Sequence, residues 1–170
     1  MKNNFDKCLA MLLEHEGGYV NSEFDKGGMT NLGVTKRVYE DWVDRKVTEQ
    51  EMRDLTPDDV APIYRKNYAD RVCFDDVASG LDWALLDWAV NSGSSRPAKA
   101  VQHAVGAKID GFIGAKTLQL VAKRDPKYLI DYIYTVRKAF YEGLDDYKHF
   151  GKGWSRRNTE TLHQAMKMVE

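Results

Sequence analysis

The chain has 170 residues, a mass of 19.5 kDa and a formal net charge of −1. This length suits one domain or two small lobes that share a core, and the 43% hydrophobic fraction is ordinary for a globular protein. No apolar run approaches the roughly 20 residues of a membrane-spanning helix, and the N-terminal sequence lacks the apolar stretch of a secretory signal. Cys8 and Cys73 show no metal-site spacing and are expected to be buried thiols, with a disulfide between them as the alternative. No metal or cofactor is predicted.

Charge is unevenly distributed along the chain. Residues 1–92 hold 11 Lys/Arg and 18 Asp/Glu, a net charge of −7, whereas residues 93–170 hold 14 and 8, a net charge of +6. A basic half favours an anionic partner such as nucleic acid, phospholipid or a bacterial wall polymer. The alternative is that the two halves only differ in the composition of their solvent-exposed helix faces, without any partner. The overall charge near zero and the lack of a dense basic cluster argue against nucleic acid.

The sequence up to about residue 69 predicts one long helix, a glycine-rich loop and three shorter helices. Apolar residues at helical spacing predict an amphipathic helix over 4–16, which Gly17 would end in the left-handed conformation. Five glycines between 17 and 33 predict a tight loop or a small β-hairpin. Thr35, Thr48 and Thr56 are placed to cap the helices that follow, the last of them running to about residue 69.

The rest of the chain also predicts helices, so the fold class is mostly α. A helix capped by Ser79 and apolar on most sides is expected to be central to the fold and to end at residues 91–93. Residues 94–97 mark the best lobe boundary. A further helix is predicted to run to about residue 105, and two more cover residues 115–123 and 126–143. Asp110-Gly111 predicts a turn between the first two of them. A break at 150–154 is expected to precede a last helix that runs to about 169.

Glu16 is the first candidate for catalysis. The C-terminal end of a helix carries partial negative charge, which together with burial favours the protonated form of a carboxyl group placed there. A general acid needs such a proton to protonate a leaving-group oxygen. The alternative is an exposed glutamate at a helix end. His15, its neighbour, is expected to serve packing or to line a cleft.

Polar residues of the glycine-rich loop could complete such a site. Asp25, Thr30 and Asn31 follow Glu16 within fifteen residues, and the glycines between them let the backbone approach a ligand closely. A carboxylate and a hydroxyl opposite an acid could activate and position a water molecule. Asp25 could equally be a turn residue that satisfies its own backbone, and Thr30 could cap a turn.

Asp87 and Asn91 stand four residues apart and share one face of the central helix. A buried polar pair there needs partners, which a sugar's hydroxyl groups could supply. The alternative is that Asp87 and Asn91 only anchor the glycine-rich loop.

Four segments in series resemble a known family. The segments EGGY (16–19) and GGMTNLGVT (27–35) are similar to the signature of glycoside hydrolase family 108, bacteriophage endolysins with N-acetylmuramidase (lysozyme-type) activity. The segment DWAVNSG (87–93) resembles that family's central helix. DGFIGAKTL (110–118) and GKGW (151–154) with Arg157 are similar to the opening and close of the peptidoglycan-binding module that usually follows.

The resemblance implies a lysozyme-like helical fold, with a catalytic lobe over 1–93 and a peptidoglycan-binding lobe over 94–170. The aromatic helix predicted over 126–143 needs partners on several faces, so the two lobes are expected to share one core. The resemblance also implies that Glu16 is the catalytic acid, with Asp25 and Thr30 as the second carboxylate and the threonine of the wider phage lysozyme pattern. Eight residues separate Glu16 from Asp25, as in that pattern, and four rather than five separate Asp25 from Thr30. The predicted substrate-binding residues are Tyr19, Asn31, Asp87, Trp88 and Asn91.

The same resemblance implies cleavage of the β-1,4 bond between N-acetylmuramic acid and N-acetylglucosamine, with lysis of the host cell. The partner would be peptidoglycan glycan strands, and the basic half could contact the anionic envelope. A monomer is expected, held in the host cytoplasm until a holin releases it to the wall. The competing interpretation is a peptidoglycan-binding protein without catalytic activity.

Overall fold

The computed structural model describes residues 4–21 and 28–169. Backbone contacts divide the chain after Lys66, which leaves an N-terminal unit that ends there and a C-terminal unit from Asn67 onward. No helix in the two described ranges is both long and apolar enough to cross a membrane. The helical content confirms the predicted fold class, mostly α with a small β-hairpin region after the first helix.

In its described residues, 4–21 and 28–66, the N-terminal unit contains four helices and a small sheet. Its elements are α1 (Asn4–Glu16), β1 (Val20–Asn21), β2 (Met29–Asn31), β3 (Val34–Thr35), α2 (Lys36–Val43), α3 (Glu49–Arg53) and α4 (Pro57–Tyr64). The strands are antiparallel in the order β1-β2-β3, with Val20 opposite Thr30 and Asn31 opposite Val34. Gly17 ends α1 at a φ of 76°, as predicted.

The predicted threonine caps are confirmed in this unit. The Thr35 hydroxyl accepts a hydrogen bond of 3.3 Å from the backbone N–H of Val38 at the start of α2. Thr48 forms a reciprocal capping box with α3, and the Thr56 backbone N–H donates to Asp59 over 2.8 Å at the start of α4. The helix predicted to reach residue 69 is α-helical only to Tyr64 and continues as a π-helical turn, Arg65–Ala69.

The C-terminal unit is built around the predicted central helix. Its elements are two 3₁₀ turns (Asp70–Val72 and Phe74–Asp76), α5 (Leu81–Ser92), α6 (Ser95–Val105), α7 (Ala115–Val121), α8 (Pro126–Glu142) and α9 (Tyr147–Met168). Every residue from 81 to 89 is buried, and α5 packs against α6, α8 and α9. The functional division into 1–93 and 94–170 stays a prediction.

Two sequence predictions are wrong in this unit. Ser79 does not cap α5, because the Asp82 carboxylate inside the first turn accepts hydrogen bonds of 2.7 Å from the N–H groups of both Gly80 and Trp83. The expected break at 150–154 is absent, since α9 runs unbroken from Tyr147 to Met168. Gly151 leaves room for the Tyr147 ring there, whose atoms would lie 2.7 Å from an added Cβ.

Candidate active site

Glu16 is the last residue of α1 and is half-buried. The turn between β2 and β3 lies against it: a Cβ added to Gly33 would be 3.1 Å from both the Cβ and the Oε2 of Glu16. The end of α1 and the glycine-rich segment therefore meet at the carboxylate that the sequence singled out. A side chain at position 33 would occupy the space beside that carboxylate.

Leu32 and Gly33 form a tight hairpin turn. Their φ values are 49° and 73°, and positive φ at both central residues is the geometry of a type I′ turn. Glycine adopts this conformation readily, whereas leucine does so at a cost. The turn therefore needs support from the surrounding structure.

Tyr64, at the end of α4, supplies that support. It is 2% exposed, and its hydroxyl donates a hydrogen bond of 2.9 Å to the backbone carbonyl of Leu32. A Cβ on Gly33 would overlap the same hydroxyl. Sequence reasoning missed Tyr64, because it lies 48 positions after Glu16 in a helix whose period explains it as core.

Asn31 is buried, with 5% of its surface exposed. Its side-chain amide donates to the carbonyls of Met52, at 2.8 Å, and Arg53, at 3.2 Å, and so caps the C-terminal end of α3. These bonds give Asn31 a structural role that the sequence did not indicate. Its predicted contact with substrate stays a prediction.

Thr30 occupies the centre of β2, opposite Val20 on one side and Thr35 on the other. Successive side chains of a strand point to opposite faces, so Thr30 faces away from the α3 end that Asn31 contacts. The alternative role, in which Thr30 caps a turn, does not match its position in the middle of a strand. Asp25 lies outside the described residues, and the catalytic roles of Asp25 and Thr30 stay predictions.

Tyr19 follows Glu16 by three positions and is held against α3. Its hydroxyl donates to the Glu49 carboxylate over 3.0 Å, and the Arg53 guanidinium lies 4.1 Å from the centre of its ring. Burial and the hydrogen bond to Glu49 raise the pKa of Tyr19, while Arg53 and Tyr19 lower the pKa of Glu49. Tyr19 is therefore a positioned, half-buried aromatic residue beside the end of α1, and its predicted contact with glycan is untested.

Asp87 lies inside the C-terminal unit with none of its surface exposed. Its carboxylate binds Arg137 at 2.7 Å, Arg157 at 2.8 Å and the Thr161 hydroxyl at 3.1 Å. Burial alone would raise the pKa of Asp87, but the two guanidinium groups outweigh it and hold the pKa below its usual value. These contacts give Asp87 a structural role, in which it joins α5 to α8 and α9, and its predicted contact with a sugar stays a prediction.

Asn91 and Trp88 belong to the same helix. The Asn91 side-chain oxygen accepts a hydrogen bond of 2.7 Å from Tyr141, whose hydroxyl also accepts one of 2.9 Å from Arg137. Asp87 and Asn91 therefore share one face of α5, as expected, and that face is occupied by α8. Trp88 is 2% exposed and forms part of the wall of a cavity within this unit. Contact of either residue with substrate stays a prediction.

This arrangement defines a helical protein that presents one carboxylate at a helix end against a β-hairpin turn. Residues 9–93 match the model of the family described as Glycosyl hydrolase 108, and residues 96–159 match a model described as Predicted Peptidoglycan domain. The chain belongs to the glycosyl hydrolase 108 family. It is thus a member of a family of glycoside hydrolases, and peptidoglycan is its partner.

A solved structure described as that of Brucella abortus SagA is similar to this chain. The two share 38% sequence identity, and the match covers 100% of this chain and 98% of that chain with a TM-score of 0.86. A comparison with curated proteins finds no match. The family predicted from the four sequence segments is confirmed.

Proposed function

We propose that the protein hydrolyses the β-1,4 bond between N-acetylmuramic acid and N-acetylglucosamine in peptidoglycan, with Glu16 as the general acid. The observation that carries this proposal is the contact between Glu16, at the end of α1, and the Gly33 turn. Membership of a glycoside hydrolase family supports the reaction class, and the peptidoglycan domain supports the polymer.

Glu16 would protonate the glycosidic oxygen as the bond breaks. A positioned general acid of this kind contributes about 10²–10⁴-fold to a rate. Asp25 would stabilise the oxocarbenium-like charge or act on water, and Thr30 would help to place that water. The stereochemical outcome follows from the separation of the two carboxyl groups.

The biological role that we propose is that of a bacteriophage endolysin. The protein would accumulate in the host cytoplasm, pass a membrane opened by a holin and degrade the wall. The net charge of +6 on residues 93–170 supports contact with an anionic envelope. We propose that the protein acts as a monomer and does not bind nucleic acid.

A wall-binding protein without catalytic activity is the second candidate, and the match of residues 96–159 to a peptidoglycan domain is the observation that favours it. One experiment separates the two. Wild type, Glu16→Gln and the control Glu14→Gln are incubated with purified peptidoglycan, and reducing ends and fragment masses are measured. Glu14 is exposed two residues earlier on α1, so its variant controls for the loss of a negative charge at the helix end.

We expect wild type and Glu14→Gln to release fragments with reducing muramic acid, and Glu16→Gln to lose about 100-fold or more of the rate while it still binds the wall. Equal activity of Glu16→Gln would remove Glu16 from the mechanism. Binding without cleavage by wild type would establish the second candidate, and release of free peptides would point to a different bond. Asp25→Asn, with Glu23→Gln as its control, tests the second carboxylate in the same assay.

A further inference from the structure

The C-terminal unit contains a cavity of about 370 Å³ between α5, α6 and α8. This volume lies within the range of small-molecule sites, about 300–1,000 Å³. Its wall is largely aromatic and aliphatic, with Trp88 from α5, Ile109 from the loop after α6, and Tyr132, Val136 and Phe140 from α8.

The polar residues of this cavity are basic. Arg96, Lys99 and His103 all line it, and their spacing of three and four residues puts them on one face of α6. Among the lining residues that the structure describes there is no aspartate or glutamate. An uncompensated basic edge beside an apolar wall selects a ligand that combines negative charge with apolar groups.

The three basic side chains differ in how far they are already engaged. The Arg96 guanidinium lies 4.8 Å from the centre of the Phe140 ring and donates to the Ser92 carbonyl. The His103 Nδ1 and the Tyr132 hydroxyl form a hydrogen bond of 2.6 Å. Lys99 is exposed, and no carboxylate in the described chain lies within ion-pair distance of its ammonium group. Lys99 is therefore the cation that is available for a ligand.

Trp88 contributes the apolar part of its ring to the cavity wall. Its indole Nε1 is buried out of reach of solvent and has no hydrogen-bond partner among residues 4–21 and 28–169, so this donor is not exposed to a ligand in the cavity.

We propose that this cavity binds the carboxylate end of the wall's peptide side chains, a short acidic peptide with methyl side chains. The carboxylate would pair with Lys99, and the methyl groups would lie against Trp88 and Val136. The sugar rings of the glycan present mainly neutral hydroxyl and amide groups, for which the cavity offers no carboxylate or side-chain amide partner. This inference rests on the proposed function only in taking peptidoglycan as the polymer.

Binding is measured on the full ¹⁵N-labelled chain with three probes: N-acetyl-D-alanyl-D-alanine, its C-terminal amide, and chitotriose. The readout is the indole N–H signal of Trp88 in NMR spectra, assigned with Trp88→Phe. We expect the carboxylate probe to shift this signal saturably, the amide to bind about fivefold or more weakly, and chitotriose to leave the signal in place. No shift with any probe, equal binding of the amide, or a shift with chitotriose alone would overturn the proposal.

A charge-matched pair of variants locates the contact. Lys99→Glu and Lys123→Glu make the same charge change at exposed positions, and only Lys99 lines the cavity. We expect Lys99→Glu to weaken binding of the carboxylate probe about tenfold or more and Lys123→Glu to leave it unchanged. Equal binding by the two variants would overturn the proposal.

The same variants separate this proposal from the proposed function. Cleavage of glycan strands stripped of their peptides should be equal in Lys99→Glu and wild type, because such strands carry nothing for the cavity. If the wild type binds the probe but cleaves no glycan, the proposed reaction fails and the binding site stands. If it cleaves glycan and the probe does not bind, the reaction stands and the binding site fails.

Discussion

The Tyr64 hydroxyl donates a hydrogen bond of 2.9 Å to the backbone carbonyl of Leu32. This bond joins the end of α4 to the central residues of the type I′ turn, and the following residue, Gly33, lies against the Glu16 carboxylate. Tyr64 is therefore placed to hold the turn in the position that the acid faces. It acts through the turn, so it is a positioning residue.

Tyr64→Phe should lower kcat on peptidoglycan with little change in KM, since the turn loses its anchor while the rest of the glycan site stays in place. The loss of the hydrogen bond to the Leu32 carbonyl should also reduce the free energy of unfolding, by about 0.5–1.5 kcal/mol for that bond. Steady-state kinetics and urea unfolding measure both effects. Tyr39→Phe is the control, because the Tyr39 hydroxyl makes no hydrogen bond in the described chain. Wild-type kcat in Tyr64→Phe would show that the turn needs no such anchor.

Gly33→Ala should impair both stability and activity. Alanine at a φ of 73° is strained, and its methyl group would overlap the Tyr64 hydroxyl and crowd Glu16, so a destabilisation of about 1–3 kcal/mol is expected. Thermal unfolding and the release of reducing ends measure the two effects. Gly18→Ala is the control close to Glu16 in the chain, since a Cβ there meets no described atom within 4 Å. Similar losses in both variants would contradict a specific role for Gly33.

Asp87→Asn should destabilise the protein by about 3–5 kcal/mol near neutral pH, because it leaves Arg137 buried without its countercharge. The pKa of Asp87 is lowered in the folded state, so its stabilisation is complete above the unfolded-state pKa of about 3.9 and is lost as the pH falls through the folded-state pKa. The difference in unfolding free energy between wild type and variant should thus be constant from about pH 5 to 7 and narrow below about pH 4.

Denaturant titrations between pH 3 and pH 7 measure that difference. Asp131→Asn is the control, since Asp131 is exposed on α8 and its carboxylate forms no ion pair among the described residues. A difference that widens towards acid would mean that the pKa of Asp87 is raised rather than lowered.

Gly151 and Gly153 of α9 offer a comparison within one helix. A Cβ at position 151 would lie 2.7 Å from atoms of the Tyr147 ring, whose hydroxyl is hydrogen-bonded to Ser155 at 3.1 Å, whereas a Cβ at 153 meets nothing within 4 Å. Gly151→Ala should therefore lower the melting temperature, and Gly153→Ala should stabilise by about 0.5–1 kcal/mol through helix propensity. Calorimetry measures both. Equal stabilisation by Gly151→Ala and Gly153→Ala would show that the Tyr147 ring moves aside without cost.

The sequence by itself determined most of the helices, the three threonine caps and the family. Apolar spacing located α1 and α5, and Thr35, Thr48 and Thr56 marked helix starts, because helix period and N-cap chemistry are local properties of the chain. It also singled out Glu16, because a carboxylate at a helix end before a glycine-rich loop is a pattern within one segment. Gly151 misled the prediction for α9, because a glycine that makes room for a ring cannot be distinguished in sequence from one that ends a helix.

Only the tertiary structure decided what the polar residues distant from Glu16 do. Asn31 caps α3, Asp87 pairs with two arginines 50 and 70 positions later, and Tyr64 supports the turn beside the acid. Each contact joins residues at least 21 positions apart, and periodicity and capping patterns carry no information at that range. A buried ion pair and a substrate-binding carboxylate look alike in sequence, and the partners that surround the side chain decide between them.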